Sequence, residues 1–204
     1  MSDDEIVKER ILDSCRDRFL REGFARLTVD EIAADLGISK KTFYKHFKNK
    51  EALVQTIMDR TMATIKGRVE QILLGDARAV EKLSEIIQLI ATEASRLVPV
   101  FGNDIQKRMP HLWKQIEEFR RQRISEIFAR LTIQGVREGT MRANMNQRVF
   151  LLCVLGSIDR VMQPQVLANE SFSVSDAIRE ILGIFFQGGL TPAGRQQFEQ
   201  LQKS

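Results

Sequence analysis

Apolar residues in this chain recur at three- and four-residue spacings almost from end to end. That is the period of a helix burying one face. Alternation at every second residue, which a half-buried strand requires, is nearly missing, and only four prolines interrupt 204 residues. The first stripe is Ile6, Val7, Ile11, Leu12, Cys15, Phe19 and Leu20, a single helical face, with Gly23 placed to cap its C-terminus. The pattern predicts an all-α fold.

Start and stop signals divide the rest. Thr28-Val-Asp-Glu31 fits a capping box, in which the threonine hydroxyl serves a free backbone amide and Glu31 reaches back. The helix it opens ends at Gly37. Ser39 is a good N-cap for a short third helix to about His46. A long helix from about Asn49 carries Leu53, Ile57, Ile65, Val69, Ile72 and Leu73 and stops near Gly75. Next come an apolar helix over about 76–98, expected to break before Pro99, and an irregular piece from Pro99 to Pro110. A long helix follows over 111–139, then two more over 146–169 and 173–189. The polar tail, 190–204, is expected to be short-helical or frayed. No solenoid repeat or low-complexity tract is present. The division falls near residue 50, with a three-helix unit over 1–50 and a larger helical bundle over 51–204.

A net charge of +4 says little about partners, but its distribution says more. Residues 1–35 carry six basic side chains against ten acids, whereas residues 36–50 carry Lys40, Lys41, Lys45, Lys48 and Lys50 against none. Cys15 and Cys153 lie in apolar-periodic contexts and are expected to be small buried hydrophobes, which fits a reducing compartment. The acidic N-terminus lacks the features of a signal peptide. No apolar run approaches the ~18 residues of a membrane span. These features predict a soluble cytoplasmic protein with no membrane association.

Helix, tight turn at Gly37, helix is the arrangement of a helix-turn-helix. Gly37 can take the positive φ a sharp turn needs, and Ala33 leaves room for two helices to cross. Ile32, Leu36, Ile38 and Phe43 supply apolar contacts between them. Lys40, Lys41, Thr42, Tyr44, Lys45 and His46 are then left mainly outside. A structural corner with a solvated face would look the same in outline.

The residues Thr28, Ile32-Ala33, Leu36-Gly37-Ile38-Ser39, Thr42-Phe43-Tyr44, His46-Phe47 and Lys50-Glu51, with Leu53 behind them, resemble the DNA-binding segment of the TetR (tetracycline-repressor-like) family of bacterial transcriptional regulators. The resemblance covers about residues 6–55. Beyond it, only length and helical character agree. It implies that a recognition helix, Ser39 to His46, enters the major groove of a double-stranded operator. Lys40 and Lys41 can reach guanine edges or phosphates, and Thr42 a thymine methyl or a phosphate. Thr28, Tyr44 and Lys50 are placed by the resemblance on phosphates. His46 either touches the duplex or packs at the edge of the three-helix unit. Lys45 and Lys48 are long-range phosphate partners or solvated.

The resemblance further implies a homodimer formed through about 146–168 and 174–188. The first segment offers Val149, Leu152, Cys153, Gly156 and Val161, and the second Ile178, Ile181, Leu182, Phe185 and Phe186. Stripes of this kind also occur within a subunit's own core. A small hydrophobic or amphipathic effector is expected in the middle helices, with Phe101, Ile105, Met109, Trp113, Ile116, Phe119 and Cys153 as candidate ligand residues. Ordinary core has the same spacing. Arg120, Ser157 and Arg160 are candidate polar anchors, or surface and interface residues.

The leading expectation is a homodimeric repressor released from a palindromic operator by a small molecule. The alternative is a DNA-binding dimer without an effector, controlled by a protein partner or acting architecturally. An enzyme is disfavoured: His46 and His111 are the only histidines, and neither they nor the cysteines form a spaced metal site or nucleophile pair. No metal, cofactor or catalytic residue is expected.

Overall fold

The computed structural model describes residues 2–23 and 27–202; the side chains of Asp17, Leu20, Arg21, Glu22, Pro99, Val100, Phe101, Asn103 and Gln202 lie outside the description. Among the described residues the elements are all helices: α1 (Asp3–Glu22), α2 (Val29–Leu36), α3 (Lys40–His46), α4 (Lys50–Leu74), α5 (Ala79–Arg108), α6 (Pro110–Arg137), α7 (Gln147–Val161), α8 (Pro164–Leu167), α9 (Val174–Gly189) and α10 (Pro192–Gln202). They form two compact units, residues 1–63 with 96–114, and residues 64–95 with 115–204.

In the first unit α1 packs on α2 and α2 on α3. Local chemistry sets the helix ends. Thr28 accepts from the Glu31 amide and Glu31 answers at the Thr28 amide, a complete capping box. Gly37 closes α2 at φ 63°, and its amide donates to Ala33 and Ala34 carbonyls. Ile11, Phe19, Leu27, Ile32, Phe43 and Leu53 are almost fully buried, so the three helices share one apolar centre with the start of α4.

The second unit buries Leu83, Leu131, Phe128, Phe186 and Phe198. Phe150 stacks on Phe128 with ring centroids 4.9 Å apart and meets Phe186 edge-on at 5.7 Å. Lys82 is only 4% exposed. Its ammonium donates to the last-turn Leu73 carbonyl of α4 at 3.0 Å and to Gln134 Oε1 at 3.1 Å, so a buried cation is held by hydrogen bonds and a helix C-terminus.

Three expectations need correction. Helix α5 does not break before Pro99 but continues to Arg108. A proline inside a helix costs ~3 kcal/mol. The apolar stripe nevertheless runs on to Ile105, which is 1% exposed, and burying such a side chain contributes ~1.5–3 kcal/mol. The interruption falls at Met109, whose amide donates to Ile105 and whose carbonyl accepts from Trp113; Pro110 then stands at the first position of α6, where no amide is needed.

The segment 146–169 is split, because α7 ends at Val161 and Pro164 opens the separate short α8. The tail takes the short-helical form of its two expected alternatives, and α10 buries Phe198 to 2% exposure. An isolated antiparallel bridge, Met141 to Leu190, closes the chain just before it. Finally, Cys15 is buried as expected, but Cys153 is exposed. It lies on the outward side of α7 with Val149 and Leu152, 53% and 51% exposed, while Val154 and Ile158 turn inward.

Candidate nucleic-acid interface

Helix α3 is short because its signals are close together. Ser39 accepts from the Thr42 amide at 3.0 Å and its hydroxyl also meets the Thr42 hydroxyl at 2.9 Å. Phe43, fully buried, anchors the middle, and the buried Phe47 follows at the C-terminal end. With that side fixed inward, Lys40, Lys41, Tyr44 and Lys45 are exposed and Thr42 half-exposed. Tyr44 stands edge-on to Phe43 with centroids 5.5 Å apart, which holds its ring upright while leaving it 52% exposed.

The cationic side chains differ in their partners. Lys40 pairs with Asp30 of α2 at 2.6 Å, and that hydrogen bond raises its pKa above the ordinary lysine value. Lys45 pairs with Asp4 of α1, also at 2.6 Å. The hydrogen bond from Lys45 holds the Asp4 carboxyl below the usual aspartate value. Lys41 and Lys48 are exposed and have no ion-pair partner among the described residues. His46 is set back, its side chain 7% exposed. Its Nε2 lies 3.9 Å from Asp4 and has no hydrogen-bond partner among the described residues.

Thr28 and Lys50 lie at the starts of α2 and α4. Thr28 is exposed, with its hydroxyl engaged in the capping box. Lys50 Nζ donates to the Leu27 carbonyl at 2.8 Å, and partial burial lowers its pKa. Asn49 caps α4 through the Ala52 amide at 2.8 Å. Sequence reading passed over the cross-links behind this surface: Arg18 with Asp35, Arg10 with the Leu36 carbonyl at 3.3 Å, and Arg60 with Glu9 at 2.7 Å. Each partner lies on another helix, so no local spacing marks it.

Residues 11–57 match the family of bacterial regulatory proteins called tetR. Over this segment, from α1 into α4, the chain is tetR-like. The HTH-type transcriptional regulator YvaF of Bacillus subtilis is 23% identical over 183 residues, 89% of this chain and 95% of that protein. A transcriptional regulator from Cytophaga hutchinsonii shares the fold at a TM-score of 0.75, with 20% identity, over 90% of this chain and 98% of the other. The regulator FadR of Bacillus subtilis, solved in complex with stearoyl-CoA, superposes at 0.61 with 21% identity, covering 87% and 96%.

The candidate effector residues divide between the two units. Ile105 is buried and Met109 and Trp113 are half-buried in the first. The side chain of Phe101 lies outside the described residues. In the second unit Ile116 and Phe119 are half-buried and Cys153 is exposed. Arg123 lies over the Phe119 ring, 5.9 Å from its centroid. Arg120 and Arg121 both reach Asp159 of α7, at 2.7 and 2.6 Å, which gives them a helix-to-helix cross-link. Among the described residues no three histidines, cysteines or carboxylates gather as a metal site, and no helix is long and apolar enough to cross a membrane.

Proposed function

We propose that this chain is a tetR-family homodimeric repressor whose α3 reads a palindromic operator and whose release is driven by a small hydrophobic or amphipathic effector. The observation that carries the reading is the outward face of α3. Lys40, Lys41, Tyr44 and Lys45 are exposed there on a helix whose opposite side is locked by buried Phe43. In this reading residues 1–50 bind DNA and residues 51–204 sense and dimerise. Lys40, Lys41 and Thr42 meet bases or nearby phosphates. Thr28, Ser39, Tyr44, Lys45, Lys48 and Lys50 serve the phosphate backbone, and His46 supports the helix from its C-terminal end.

One α3 spans too few base pairs to select a genomic site, and a dimer doubles the contacted sequence. The exposed apolar face of α7 supports pairing: Val149 and Leu152 are half or more exposed, with Cys153 and Gly156 beside them. Ile184 of α9 is also 60% exposed. Of the other expected contacts, Ile178 and Phe186 serve the subunit's own core. The stearoyl-CoA bound to the B. subtilis FadR supports an amphipathic effector.

Selection from a random-sequence duplex pool, followed by mobility shift, tests the reading. The expected product is a palindrome with half-sites about one helical turn apart, and long-chain acyl-CoA is expected to release the protein. Failure to bind any duplex at low salt sinks the proposal. Binding that no acyl-CoA or fatty acid alters sinks the effector part alone.

A further inference from the structure

The lysines of α3 have no acidic neighbour in their own stretch of sequence, yet the fold supplies two. Asp30 of α2 holds Lys40 at the N-terminal end, and Asp4 of α1 holds Lys45 at the C-terminal end, each at 2.6 Å. All four side chains are more than half exposed, so a phosphate can displace either carboxylate. Between and beyond them, Lys41 and Lys48 carry no such partner among the described residues. The cationic surface is therefore graded, with two lysines open and two engaged.

We propose that Asp30 and Asp4 are specificity-determining residues, withholding Lys40 and Lys45 from indiscriminate phosphate contact. The proposal rests on the DNA-binding reading of α3. A phosphate that recruits an engaged lysine must first separate an ion pair and then approach the carboxylate left behind. On a random duplex the electrostatic gain is the whole reward, so this opposition lowers what those two lysines add. On a matching duplex, base contacts along α3 add to the gain and the exchange proceeds. The carboxylates thus weaken wrong complexes more than right ones, which is how repulsive elements raise discrimination. Exposed pairs are weak enough for such an exchange. Asp4 Oδ1 also lies 3.9 Å from His46 Nε2.

The test measures binding of the full chain to a random duplex and to a duplex recovered by selection, across a salt series. Asp30→Asn and Asp4→Asn should each tighten random-duplex binding by about threefold or more and steepen its salt slope by about one unit. Affinity for the selected duplex should rise less, so the ratio falls. Asp3→Asn removes the same charge from the same turn of α1 without touching an α3 lysine and should change neither quantity. In a Lys45→Gln background, Asp4→Asn should lose its effect, and Asp30→Asn likewise with Lys40→Gln. The proposal is overturned if the two substitutions act no more strongly than Asp3→Asn, or persist when the lysine is gone. A wild-type chain that binds no duplex removes the DNA-binding reading itself, a separate outcome.

Discussion

Lys50 Nζ donates to the carbonyl oxygen of Leu27, 23 residues earlier, at 2.8 Å. The bond ties the first turn of α4 to the chain entering α2 and keeps the ammonium beside the Thr28 cap. One lysine therefore carries a structural contact and a position suited to phosphate. Lys50→Met should lower the unfolding free energy by about 1 kcal/mol, the net worth of such a hydrogen bond. It should also weaken binding to matched and random duplexes by equal factors, since phosphate contacts carry no sequence information. Denaturant unfolding and paired duplex titrations measure the two effects.

Gly37 sits at φ 63° with open space where a side chain would begin. Conformation, not crowding, is what requires glycine there. Gly37→Ala should cost about 1–2 kcal/mol, the penalty of a left-handed residue bearing a Cβ. Gly37→Asn should cost less, because asparagine tolerates this region better. Thermal unfolding of the three proteins ranks them, and a wild-type midpoint for Gly37→Ala refutes the assignment.

The Glu31 carboxyl is held below its ordinary value of 4.5, first by the hydrogen bond from the Thr28 amide and then by that from its hydroxyl. A carboxylate with a depressed folded pKa adds stability above its unfolded value and loses it as pH falls through the folded one. Glu31→Gln should therefore lower stability at neutral pH, with the deficit shrinking as pH drops below 4.5. Melting curves of both proteins across the acid range test the convergence.

Cys15 and Cys153 should differ sharply toward a thiol reagent. Burial pushes the Cys15 thiol up to about 12, so it should react only on unfolding. Cys153 lies exposed within the α7 stripe. Under the dimer proposal it should be protected in concentrated protein and labelled on dilution. Leu152→Glu should give a folded monomer by sedimentation, with Cys153 labelled at every concentration. A dimeric Leu152→Glu protein argues that α7 faces no partner.

What could be read along the chain was whatever depends on neighbours in sequence. The Thr28 box, the Gly37 turn and the Ser39 cap each use groups within four residues, so residue type and spacing were enough to place them. Periodicity likewise gave the helices and most of their limits. Pro99 shows where the same reasoning fails. A local helix breaker was outweighed by the apolar path to Ile105, and that burial exists only after folding. Cys153 was misplaced for a related reason: α7 is apolar on two sides, and composition does not say which one the subunit covers.

Charge gives the clearest separation between the two levels. The sequence alone determined that residues 36–50 contain five lysines and no acid, and that helical spacing puts most of them outside the core. Only the tertiary structure decided which lysines are engaged. Asp4 lies 41 residues from Lys45, and Asp30 lies across the Gly37 turn from Lys40. Ion pairs are governed by distance in space, and the packing of α1 and α2 around α3 sets that distance.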